Sequence, residues 1–192
     1  MADIEKLIPF IIKWETGVIR QNGETAESLF GRARKKGFAN DPKDLGGATQ
    51  TGVTIGTYRT WCKKHGYLTP TVEDLKNIPY QTWLAILKES YWDRWKADKI
   101  ESQSVANILV DFVWASGING IKKPQEFLKV VPDGVVGPKT LAAVNNRGSL
   151  SLFYQLRDLR LKFVEAIVRA NPSQKKWLKG WKNRINDIKY EG

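Results

Sequence analysis

With 192 residues, 42% hydrophobic and 27% charged, the chain has the size and apolar content of one compact domain, or of a catalytic lobe with a small second lobe. It carries one cysteine, one histidine and a formal charge of +11. That excludes an intramolecular disulfide, leaves too few ligands for a usual zinc site and throws acid–base work onto carboxylates.

The first predicted element is a helix. Ile4, Leu7, Ile8 and Ile11 fall at i, i+3, i+4, i+7, one helical face. Asp3 is its expected cap, Thr16-Gly17 its end, and Pro9 marks either a kink or the start. Residues 18 to 56 lack a helical period and read as a long loop, with a short hairpin expected near Gly52-Val53-Thr54-Ile55. Cys62 and His65 flank a lysine pair in Trp61-Cys62-Lys63-Lys64-His65-Gly66. This reads as a helix end, with both residues structural. Pro79 suits a first helical turn, and Trp83, Leu84, Ile86, Leu87, Tyr91 and Trp92 follow it. Val105, Ile108, Leu109, Phe112, Val113 and Ser116 make the cleanest stripe, stopped by Gly117. Pro124 and Pro138 each read as opening a further helix, with a turn at Pro132-Asp133-Gly134. A long helix is predicted through Leu152, Leu156, Leu159, Phe163 and Ile167 up to Asn171-Pro172, and a last one through Trp177, Leu178, Trp181, Ile185 and Ile188. The fold class expected is mainly α, with little strand.

Two places can carry chemistry. Ile4, Ile8, Ile11 and Glu15 are spaced +4, +3, +4, so a carboxylate continues an apolar face at a helix C-terminus, beside Trp14. An apolar surrounding disfavours a charged carboxyl, and the helix dipole acts in the same sense. A protonated carboxyl is what glycoside hydrolysis needs at the leaving oxygen. The same position also suits a glutamate fraying into water. Downstream, Asn40-Asp41-Pro42-Lys43-Asp44-Leu45-Gly46-Gly47 leads into Thr49, Thr51 and Thr54. Such a block can hold water or a sugar, and equally it can be an Asx turn entering a hairpin.

These residues resemble glycoside hydrolase family 108, whose pattern is a helix ending in Glu-Gly-Gly, then Asn-Asp-Pro, a second Asp, Gly-Gly, Thr and Gly-Ile-Thr. The chain has Glu15-Thr16-Gly17, Asn40-Asp41-Pro42, Asp44, Gly46-Gly47, Thr49 and Gly52-Val53-Thr54. The likeness runs on through Tyr91-Trp92-Asp93-Arg94 and Asp111 to Gly117. Asp133-Gly134-Val135-Val136-Gly137-Pro138-Lys139-Thr140 is similar to a peptidoglycan-binding signature, and Trp177 to Arg184 also fits. The resemblance implies a lysozyme-like helical fold with a cleft beside the long loop and its hairpin. It implies a catalytic part over 1–100 and a peptidoglycan-binding-like part over 101–192, packed as one unit. It implies Glu15 as catalytic acid, Asp44 as second carboxylate with Asp41 as alternative, and Asp41, Thr49, Thr51, Thr54 and Trp92 as substrate contacts. No metal and no cofactor are expected. Thr16 replaces the family's glycine, and an insertion of roughly Val18 to Phe38, with Arg32, Arg34, Lys35 and Lys36, separates Glu15 from Asn40. Glu24, off any pattern within it, is expected to be inert.

The function expected is cleavage of the β-1,4 glycan backbone of peptidoglycan, by an endolysin-type muramidase. The alternative is a non-catalytic peptidoglycan-binding protein. From Arg147 to Gly192 there are 11 basic and 4 acidic residues, a face suited to an anionic wall, or one that only aids solubility. Nucleic acid is not expected as a partner, since no helix-turn-helix, finger or RNA-binding motif is visible, and a monomer is favoured. No run approaches the roughly 18–20 apolar residues that span a bilayer. No signal peptide is visible either, so action at the wall is expected to follow export by another route or holin-type release.

Overall fold

A computed structural model describes residues 1–41 and 47–192. Among the described residues, the helices and one small sheet make the chain mainly α, as expected. The chain divides into two compact units, Glu5–Ser90 and Met1–Ile4 with Tyr91–Gly192. The boundary read from sequence, at 100–101, falls ten residues beyond this division.

In the first unit, helix α1 spans Ile8–Thr16. It starts with Pro9 in its first turn rather than kinking there, and no side chain caps it. Asp3 instead brackets the Gln103 side chain through its backbone N–H and carbonyl. The segment expected to be loop contains a second helix, α2 (Ala26–Arg34), capped by Thr25, whose Oγ1 accepts from Ser28 N at 3.2 Å. Ala26, Leu29, Phe30 and Ala33 are buried along it, an i, i+3, i+4, i+7 set. Gly31 and two arginines inside it weaken its propensity and its apolar contrast, and packing overrides both.

The sheet has three short antiparallel strands, β1 (Phe38–Ala39), β2 (Thr49–Gln50) and β3 (Val53–Thr54). Phe38 pairs with Gln50, Ala39 with Thr49, Thr49 with Thr54 and Gln50 with Val53. The expected hairpin is β2–β3. Helices α3 (Ile55–Lys64), α4 (Val72–Lys76) and α5 (Tyr80–Leu87) complete the unit, around a core that includes Phe30 and Trp83 with ring centroids 5.0 Å apart.

The second unit is built on α6 (Gln103–Ser116), α7 (Asn119–Leu128), α8 (Pro138–Asn145), α9 (Ser149–Ala170) and α10 (Lys175–Asp187). Pro124 lies inside α7 instead of opening it. A helical proline leaves the carbonyl four residues earlier without its N–H. That carbonyl is Gly120 O, and the buried Trp95 indole donates to it at 3.2 Å. Gly120 also lets α7 cross α6 closely, because a Cβ there would lie 2.4 Å from Val113 N. The Asp133 to Thr140 motif is a turn, locked by the buried Gln125, that leads into the start of α8. Gln125 Nε2 donates to Asp133 Oδ1 (3.0 Å) and Val135 O (3.0 Å), and its Oε1 accepts from Gly134 N (2.9 Å).

Candidate active site

The apolar face of α1 is fully buried at Ile8, Ile11 and Ile12. One turn on, burial relaxes and Glu15 is half-buried. The stripe carries the carboxylate to the edge of the core without closing over it. The helix stops there for a local reason. Gly17 takes a left-handed φ of 72° and donates its N–H to Lys13 O, an αL cap that only glycine adopts without strain. Thr16 turns its hydroxyl back onto Ile12 O at 2.8 Å and accepts from Val18 N at 3.2 Å. Thr16 thus fixes the backbone on both sides of the helix end.

The sheet meets this helix end directly. A Cβ on Gly37 would lie 2.6 Å from Thr51 Oγ1 and 2.9 Å from Thr16 Cγ2, so only glycine fits between α1 and the hairpin turn. Gly37 O also accepts from Thr51 N at 3.0 Å. Thr51 and Gly52 both have positive φ, 45° and 78°, the signature of a two-residue type I′ turn. A β-branched residue there is strained, and its neighbours hold it. Thr51 O accepts the Trp83 indole N–H at 3.0 Å, its hydroxyl donates to Gln50 Oε1 at 3.1 Å, and Gln50 Nε2 donates to Lys76 O at 2.7 Å. Thr51 is fully buried, not an open hydroxyl as its expected role as a substrate contact requires. Its side chain and carbonyl are held by Gln50 and Trp83, and it packs with Thr16 around Gly37. Thr54 is likewise engaged, as the cap of α3, accepting from Thr57 N at 3.2 Å. Thr49 is half-buried on β2.

The two aspartates fall on the connection from β1 to β2. Asp41 is exposed, two residues past Ala39, and Asp44 lies outside the described residues, as do Pro42 and Gly46. Asp41 is four residues from Gly37, so its Cα lies within about 14 Å of the glycine packed on Thr16.

Two other carboxylates of this unit, Glu24 and Glu89, are committed elsewhere. Glu24 accepts from Arg32 Nε (2.7 Å) and Nη2 (2.6 Å), from Gln21 N (2.9 Å) and from Ser28 Oγ (3.2 Å). The Arg32 guanidinium foremost holds its pKa down to about 2. Glu24 therefore ties the inserted segment to α2, a structural role that the sequence reading did not give it. Nothing in the sequence spacing announces the pair, although Glu24 and Arg32 are two helical turns apart. Burial pushes Glu89 up, but Lys64, His65 and the Trp61 indole bond it at 2.9, 2.8 and 3.1 Å and bring it down to about 2. A carboxylate so held stays ionised and cannot serve as a general acid near neutral pH. His65, stacked 4.5 Å from Trp61, is part of that clamp, and Cys62 is buried with its thiol pushed up by burial.

Trp92, expected to face sugar, is fully buried in the second unit with its indole N–H on Asp98 Oδ1 at 2.7 Å. Neither ring face is open, so it is a core residue. Tyr91 beside it is half-buried, its ring 4.6 Å from that of Trp114. Near Glu15 the insertion and α2 line a basic groove of about 460 Å³ with Gly17, Ile19, Arg32, Lys35 and Lys36.

Residues 30–117 match the family model described as Glycosyl hydrolase 108, and residues 119–186 match the one described as Predicted Peptidoglycan domain. The first match begins within α2, after Glu15. The solved structure of Brucella abortus SagA is similar to the chain, with 29% identity and a TM-score of 0.67, covering 83% of this chain and 90% of that one. No curated protein matches. The fold is mainly α and lysozyme-like.

Proposed function

We propose that this chain, whose residues 30–117 match the Glycosyl hydrolase 108 model and whose residues 119–186 match the Predicted Peptidoglycan domain model, is an endo-acting N-acetylmuramidase that cuts the β-1,4 glycan backbone of the bacterial wall. The observation that carries this reading is the placement of Glu15. It stands where the buried face of α1 meets solvent, on a helix end fixed by Gly17, Thr16 and the Gly37–Thr51 contact. In this mechanism Glu15 gives its proton to the glycosidic oxygen as the bond to the sugar's anomeric carbon breaks. The second carboxylate, Asp44 or else Asp41, stabilises positive charge on the sugar ring or orients the water. The threonine-bearing sheet holds the glycan through Thr49 and backbone groups. Lys35 and Lys36 supply positive charge beside a polymer whose peptides carry carboxylates. The site of action is the wall, reached by export or after a holin-type lesion.

A binding protein without turnover is favoured by one fact, that the hydrolase match starts at Phe30 and omits Glu15. Digestion separates the two. Purified peptidoglycan treated with the protein should release fragments whose reducing ends are muramic acid, read by mass spectrometry after borohydride reduction. Glucosamine reducing ends would replace the muramidase assignment with a glucosaminidase. No release by a protein that sediments with the wall would leave only the binder.

A further inference from the structure

The basic groove beside the end of α1, about 460 Å³ in volume, is lined by Gly17, Val18, Ile19, Arg32, Lys35 and Lys36. Its walls are fixed. Gly17 caps α1, and the Val18 N–H is held by Thr16 Oγ1. Arg32 donates through Nη2 to Ile19 O at 2.9 Å, and through Nε and Nη2 to the Glu24 carboxylate. A two-point grip of this kind sets the plane of a guanidinium. It occupies the Nε–Nη2 edge and leaves Nη1 open, on a side chain that is 38% exposed. Lys35 and Lys36 are exposed too, and neither has a hydrogen-bond or ion-pair partner among the described residues. Glu24 offsets Arg32, so three cations and one carboxylate leave the groove at +2. Every one of its donors is reachable from solvent.

Its position decides what meets it. On the muramidase reading the bond that breaks is at the anomeric carbon of muramic acid. That sugar then lies against Glu15, and its stem peptide leaves from the same ring. Gly17 is two residues from Glu15, so their Cα atoms lie within about 7 Å, and an extended peptide advances about 3.3–3.6 Å per residue. Two stem residues span that distance. The first is an alanine, and the second carries a carboxylate. Ile19, 66% exposed at the groove, offers apolar surface to a methyl group, which a hydrated phosphodiester would not use.

We propose that this groove is a subsite for the stem peptide, holding the carboxylate of its second residue between Lys35, Lys36 and Arg32 Nη1, with the alanine methyl on Ile19. The chain thereby selects glycan whose stems are still attached and still ionised. The stem as occupant rests on the peptidoglycan reading above. A stem amidated at that residue loses the charge that the cations recognise.

The full chain is titrated with N-acetylmuramyl-L-alanyl-D-glutamate, with the diamide of the same compound and with inorganic phosphate, and followed by proton–nitrogen correlation spectra. The acid should move the backbone resonances of Gly17, Ile19 and Lys36 in a saturable way at millimolar concentration. The diamide should bind at least about tenfold more weakly, as the loss of hydrogen bonds to a charged group requires. Phosphate should also bind more weakly than the acid. Lys35→Gln combined with Lys36→Gln should bring the acid down to the affinity of the diamide, in a spectrum that stays dispersed. Lys63→Gln combined with Lys99→Gln removes the same charge from exposed positions outside the groove, and should leave the acid's affinity at the parent value. The proposal is overturned if the acid moves none of these resonances, if diamide or phosphate matches it, or if the two double variants act alike. The probe has no glycosidic bond to cut, so failure here leaves the muramidase reading standing, and a chain that releases no fragments from the wall can still show the subsite.

Discussion

Glu15 and Asp111 begin from the same sequence pattern, an acidic side chain on a helix whose neighbours are apolar, and they end in opposite conditions. Asp111 is fully buried. Burial pushes its carboxyl up, yet Arg184 and Arg160 together bring it below the usual carboxylate range, so it is an ionised structural anchor. Glu15 sits at a helix end that is fixed but half-open. The partners that decide the outcome for Asp111 lie 49 and 73 residues away. A stripe pattern reports which face a carboxylate occupies, and only the fold reports which cations reach it.

The largest stability effect is expected at the closed end of this comparison. Asp111→Asn leaves two guanidiniums facing each other with their shared counter-charge removed. Breaking a buried pair this way costs about 3–5 kcal/mol, readable as a lower urea midpoint at unchanged slope. If Asp111→Asn unfolds like the parent, the cluster is not an anchor and the contrast with Glu15 fails.

A smaller effect comes from the clamped carboxylates of the first unit. Glu24 and Glu89 have pKa values of about 2 against an ordinary 4.5. A depressed folded-state pKa contributes stability that is complete above the ordinary value and is lost as pH falls from there through the folded one. Stability should therefore drop between pH 4.5 and about 2, and Glu24→Gln or Glu89→Gln should flatten that limb. Glu24→Gln should also raise protease cleavage between Val18 and Thr25, where Arg32 now binds both Glu24 and Ile19 O. An acid limb that both variants leave unaltered would contradict these pairings.

The smallest effect is expected on the surface of α10, where Lys175, Lys176 and Lys179 are exposed near a 54%-exposed Trp177. Reversing their charge should weaken sedimentation with cell walls at low salt and matter little at 0.15 M, where the Debye length is roughly 8 Å. Equal binding at every ionic strength would make the face a solubility device.

The stripes of α1, α6 and α9 were legible because each buries one face at helical spacing, whereas α10 buries Ile185 and leaves Trp177 exposed; the β2–β3 hairpin was legible from Gly52 and its flanking β-branched residues. Helix α2 was not, because Gly31 and its charged neighbours mask a regular buried set. Pro124 misled because proline usually opens a helix, and here Trp95 satisfies the carbonyl that the proline orphans. Trp92 and Thr51 looked available for sugar because sequence shows an aromatic or a hydroxyl without showing that Asp98 and Gln50 already hold it. Glu15 was legible as a position, and its capped, half-open setting had to come from Gly37 and Thr51, more than twenty residues on.

Glu15→Gln tests the central claim most directly, measured as the rate of wall lysis beside circular dichroism and glycan co-sedimentation on the same sample. Removing a general acid should lower lysis by at least about a hundredfold while helicity and wall binding stay at parent values. Lysis near the parent rate by a folded Glu15→Gln protein would contradict the account, and would move the acid to another carboxylate.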